Sequence, residues 1–63
     1  MKINSSSPDY GLAIWDLFDA TIAADSGADE TALTNTLCVN SDLPRSQCAY
    51  WADNYATQNL RGT

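Results

Sequence analysis

Histidine is absent from this 63-residue chain, and only three of its residues are lysine or arginine. Those shortages remove several functions at once. Without imidazole there is no ordinary base to activate a serine or cysteine nucleophile. The two cysteines, Cys38 and Cys48, cannot complete a zinc site on their own, so no metal and no cofactor is expected. So few cations cannot neutralise a row of phosphates or hold an anionic bilayer, which argues against direct nucleic-acid binding and against a membrane surface. No apolar run approaches the roughly 20 residues of a membrane span. The opening Met1-Lys2-Ile3-Asn4-Ser5 carries no apolar signal segment, so the expected location is a cytoplasm. Asn4-Ser5-Ser6 matches a glycosylation acceptor, but without a secretory route the match is read as chance.

What is present describes a folded module. The chain is 44% hydrophobic and 10% aromatic, more than a disordered tail carries. Its length allows one domain, whose core supplies only about 3–5 kcal/mol, so each large apolar side chain counts. Residues 1–6 read as a polar, flexible lead-in and 7–63 as a single helical domain.

Three helices are expected. The first spans about 8–25, with Ser7 as cap, Pro8 at the first helical position and Asp9 in the first turn. Tyr10, Ile14, Leu17, Phe18, Thr21 and Ile22 recur at threes and fours, with Trp15 widening one edge of the stripe. Gly11 is its weak point, costing about 1 kcal/mol relative to alanine. Gly27 is placed to end the helix in a left-handed cap. The second helix, 29–38, takes Asp29 or Ser26 as its cap. Its threonines and asparagine (Thr31, Thr34, Asn35, Thr36) lower helix propensity, and an extended segment is the alternative. Asn40-Ser41-Asp42 signals a turn. The third helix, 44–60, restarts at Pro44, buries Cys48, Trp51, Ala52, Tyr55 and Ala56, and finishes at Arg61 and Gly62. The expected fold is an all-α, compact three-helix mini-bundle. Its core would hold Ile14, Leu17, Phe18, Ile22, Leu33, Leu37, Trp51 and Tyr55, with Ala52 and Ala56 letting helices approach closely.

Few residues offer chemistry. Cys38 and Cys48 have three readings: buried thiols, a disulfide joining the second helix to the third, or a reactive thiol that no base activates. Asp16 and Asp19 lie one helical turn apart, as a catalytic carboxylate pair would, but on the face expected to be exposed and without pocket-forming loops. The run from Asp25 to Glu30 lacks the alternating ligands of a calcium loop. The chain is therefore read as a binding protein, not an enzyme.

The charge pattern is the most informative feature. Eight acids against three bases give a formal charge of −5. Between Ile3 and Pro44 every charged residue is acidic: Asp9, Asp16, Asp19, Asp25, Asp29, Glu30 and Asp42. The first helix thus forgoes the few tenths of a kcal/mol that each acid–base pair four residues apart would contribute. Its like charges repel, a cost relieved by docking a basic partner, whereas solubility alone is the blander explanation of such a face. In length, charge and lack of catalytic motifs the chain resembles a class of small acidic proteins, the phage-encoded inhibitors of bacterial defence: anti-CRISPR proteins and anti-restriction DNA mimics. That resemblance implies an inhibitor that sets carboxylates where DNA phosphates would lie, in a bacterial host cytoplasm, and it transfers no individual residue. The expected site is Asp9, Asp16, Asp19, Asp25, Asp29 and Glu30, presented by a monomer to one small basic pocket of a nucleic-acid-binding complex. The alternative is a structural or adaptor bundle that binds a partner, or itself, through exposed aromatic surface at Trp15 and Tyr50. A third reading is a secreted, disulfide-stabilised peptide.

Overall fold

The computed structural model describes residues 2–60 as an all-α, three-helix mini-bundle: α1 (Tyr10–Ala24), α2 (Glu30–Val39) and α3 (Arg45–Asn59). The expected finish of the third helix at Arg61 and Gly62 lies outside the described residues. The central helix, α2, packs mainly on α3 and also touches α1. No helix among the described residues is long and apolar enough to cross a membrane.

The two helix starts next to proline differ from the expected ones. Ser7-Pro8-Asp9 forms a turn before α1, in which Tyr10 N–H donates to the Ser7 carbonyl at 3.4 Å. Asp9 then occupies the cap position without a side-chain hydrogen bond. Ser7 lies before the cap position, in a turn of its own in which its N–H donates to the Asn4 carbonyl at 3.0 Å. At α3, Pro44 is the extended cap residue (ψ 158°), not the first helical one, and its carbonyl accepts from Gln47 and Cys48. The α2 start agrees with expectation. Asp29 is extended, and its carboxylate accepts from Ala32 N–H at 2.9 Å.

Gly27 forms no left-handed cap, since no described glycine has positive φ. The chain leaves α1 through Asp25 instead, which is extended at φ −146°. Its N–H still reaches the Thr21 carbonyl at 2.9 Å, and its carboxylate accepts from Gly27 N–H at 3.1 Å. A side-chain acceptor here does the turning that a glycine backbone was expected to do.

The threonine-rich run is helical, not extended. Thr34, which is buried, returns its hydroxyl to the Glu30 carbonyl at 2.9 Å, satisfying the polar atom inside the helix itself. Burial of Leu33 and Leu37 on the same element supplies the packing that local propensity lacks.

Ile14, Phe18, Leu33, Leu37, Cys48, Ala52 and Tyr55 form the core, with Ala56 buried beside them. Leu17, Ile22 and Trp51, expected inside, are half-buried at its margin. The small residues Cys48 and Ala52 are fully buried in its centre, while Trp51 packs against its edge. Phe18 and Tyr55 meet edge to face at a centroid separation of 5.1 Å.

The lead-in is bonded to the α2–α3 link. Ile3 N–H donates to the Asn40 carbonyl at 2.7 Å, and the Ile3 carbonyl accepts from Asp42 N–H at 3.1 Å, an isolated parallel bridge to Ser41. Ser5 N–H donates to the Asp42 carboxylate at 3.1 Å. Ser41, buried in this link, donates from its hydroxyl to the Leu37 carbonyl at 2.6 Å and accepts from Leu43 N–H.

Candidate functional site: the acidic side and the aromatic flank of α1

All five aspartates of the expected site are exposed, and Glu30 is half-buried. They are not equivalent. Asp25 and Asp29 each hold a backbone N–H of their own turn. Asp19 accepts the Tyr55 hydroxyl at 2.5 Å, a bond that joins α1 to α3. Among the described residues Asp9 and Asp16 have no such side-chain engagement: Asp9 heads α1 without capping it, and Asp16 projects away from Ile14 and Phe18. The acidic side is thus partly a set of structural acceptors, each still carrying its charge at the surface.

Spacing decides how these acids can act together. Asp9 and Asp16 are two turns apart on nearly the same side of α1, whereas Asp19 is rotated toward α3. Asp9 and Asp25 bracket α1, roughly 24 Å apart along its axis at helical rise. At helical spacing Asp25 falls on the opposite side of α1 from Asp9 and Asp16, so the six carboxylates are spread along and around α1 and its corner with α2.

Asp19 also bears on Tyr55. Burial, reinforced by the hydrogen bond to Asp19 and by that carboxylate's charge, pushes the Tyr55 phenol up to about 12. Tyr55 is only 3% exposed, so ionising it would bury a charge and set it against the exposed carboxylate of Asp19.

Both cysteines are thiols. Cys48 is fully buried, with its Sγ 3.8 Å from the Leu43 carbonyl and 4.0 Å from the Ser41 hydroxyl. Burial first, and then a hydrogen bond with Cys38, push the Cys48 thiol up to about 11. A thiol held protonated in this way is a packing group and not a nucleophile. Among the described residues no three His, Cys, Asp or Glu side chains are placed to hold a metal ion.

The aromatic residues are arranged differently from the expected Trp15–Tyr50 patch. Trp15 packs edge to face on Tyr55 at 5.0 Å, and Tyr50, 60% exposed, packs on Trp51 at 6.1 Å. The surface that α1 and α3 share is an open cleft lined by Pro8, Asp9, Gly11, Leu12, Trp15 and Trp51. Gly11 explains why the indole comes so near. A Cβ built there would lie 3.2 Å from Trp51 Cη2, so the residue that weakens the helix admits a ring against its backbone. A glycine inside an apolar stripe was the one available signal of this close approach; nothing local in the sequence marked Trp51 as its partner.

Comparison with family models, with curated proteins and with solved structures gives no match. Function is therefore argued from charge and shape.

Proposed function

We propose that the protein is a small non-catalytic binding protein that docks, as a monomer, on a basic surface of a nucleic-acid-handling complex and competes with nucleic acid for it. The anti-CRISPR and anti-restriction inhibitors it resembles act in this way. The observation that carries the reading is the exposure of Asp9, Asp16, Asp19, Asp25 and Asp29 along α1 and its corner, with no base between Ile3 and Pro44 to neutralise them. An extended basic surface fits acids spread along α1 and its corner better than a single small pocket does. If the protein is phage-encoded, the place of action is the bacterial host cytoplasm.

The test reverses charge where the fold does not use it. Asp9→Lys and Asp16→Lys, separately and together, leave the hydrogen bonds of Asp19, Asp25 and Asp29 in place. Complexes captured from a bacterial lysate on the wild-type protein are expected to be released by raised salt and by added duplex DNA, and to be missing with the double variant. Capture that is unchanged by the reversal and by DNA refutes the reading.

A further inference from the structure

The cleft between α1 and α3 has a chemistry that the acidic side alone does not supply. Its volume is about 450 Å³, it is open to solvent, and its lining is mainly apolar. Leu12, at its edge, is 74% exposed. The two tryptophans are braced from behind: Trp15 by Tyr55, and Trp51 by Tyr10 at 5.9 Å and by Tyr50. Rings held this way lose little further freedom when something packs on them. Asp9 stands on the rim, and Asp19 follows Trp15 by one helical turn with its carboxylate fixed by the Tyr55 hydroxyl. Indole surface flanked by carboxylates suits a cation with flat, weakly hydrated faces and an apolar stem. That is a guanidinium more than an ammonium. A second copy of the chain suits it poorly, since each copy has a formal charge of −5 and would bring its own Asp9 to the contact.

We propose that this cleft takes an arginine side chain from a basic segment of a protein partner, with an adjoining aliphatic residue on Leu12. The inference rests on the reading of a basic partner and assigns that partner a contact residue and a place. Trp51 Nε1 is buried and has no hydrogen-bond partner among the described residues. Its N–H resonance senses a ligand through the ring whose exposed face lines the cleft.

The experiment titrates three blocked hexapeptides, alternating leucine with arginine, lysine or glutamate, into the ¹⁵N-labelled full chain. The two indole N–H resonances and the backbone amides are followed together. The arginine peptide is expected to move both indoles and to bind about threefold or more tighter than the lysine peptide. Leu12→Ser, at an exposed position, is expected to weaken it about fivefold. Ser46→Ala, exposed on α3 and outside both the cleft and the acidic side, is expected to leave the ranking of the peptides and the indole shifts in place. Arginine-peptide shifts confined to amides around Asp25–Glu30, with still indoles, overturn the cleft and leave the acidic-side reading standing. No shift with either cationic peptide overturns the cleft and counts against the basic-partner reading as well. Equal indole shifts with the glutamate peptide, or indole shifts that grow with protein concentration alone, overturn the arginine assignment in favour of apolar docking or self-association.

Discussion

Replacing Tyr55 by phenylalanine separates two effects of one hydroxyl, and they have opposite signs on the pH scale. At neutral pH the hydroxyl donates to Asp19 across the α1–α3 contact. Removing it leaves Asp19 exposed to water, so no buried acceptor is orphaned, and the expected loss is about 1 kcal/mol. At alkaline pH the hydroxyl becomes a liability. The folded value of about 12 lies above the ordinary value of 10, so the native state holds the proton more tightly than the unfolded chain does. The stability linked to that proton is complete below pH 10 and is lost as pH rises toward 12. Two units correspond to roughly 3 kcal/mol, a large part of the total expected for a chain of this size. The two proteins should therefore exchange order. The wild type is the more stable by about 1 kcal/mol at pH 7, the difference vanishes near pH 11, and above it Tyr55→Phe is the more stable. Cys48, pushed up to about 11, adds its own loss in the pH 9–11 window to both proteins and cancels in the comparison. Urea unfolding followed by far-ultraviolet circular dichroism at half-unit steps from pH 7 to 11.5 measures the difference. Parallel stability curves across that range would refute the assignment of the Tyr55 proton to the fold.

Three further outcomes follow from the packing. Gly11→Ala gains about 1 kcal/mol of helix propensity but sets its Cβ 3.2 Å from Trp51 Cη2, so its Tm is expected to stay near wild type while the Trp51 emission shifts. A plain gain in Tm with unchanged emission would show that Gly11 does not support the ring. Asp29→Ala removes the acceptor of the Ala32 N–H and is expected to cost about 1 kcal/mol in urea unfolding, whereas Asp16→Ala stays within about 0.5 kcal/mol of wild type. Iodoacetamide at pH 8 should label half-buried Cys38 before Cys48, because a thiol raised to about 11 is only about one part in a thousand thiolate there. Mass spectrometry of the labelled chain, native and in urea, reads the order, and equal labelling of the native protein would refute it.

The amino-acid sequence by itself determined that the first and third helices form and which broad face of each turns inward, whereas the threonine-rich α2 needed the burial of Leu33 and Leu37 to settle it as helix. Periods of three and four in Tyr10–Ile22 and Cys48–Ala56 need no partner to be recognised, because a helix repeats its own geometry. The Asp29 cap was legible for the same reason, since donor and acceptor are three residues apart. Tertiary structure alone decided the rest. Trp51 lies at the margin of the core, its ring against Gly11 of α1, while Cys48 and Ala52 of the same helix are fully buried. α1 starts after Asp9 and not after Ser7, behind a lead-in that is itself bonded to Asn40 and Asp42, across most of the chain. The acids were all visible as charges, yet only the packed fold separates Asp19, held by Tyr55, from Asp16, which is exposed and has no such bond among the described residues. The cleft at Gly11 likewise needs two helices to exist, because its walls come from residues forty apart in a chain whose local patterns describe one helix at a time.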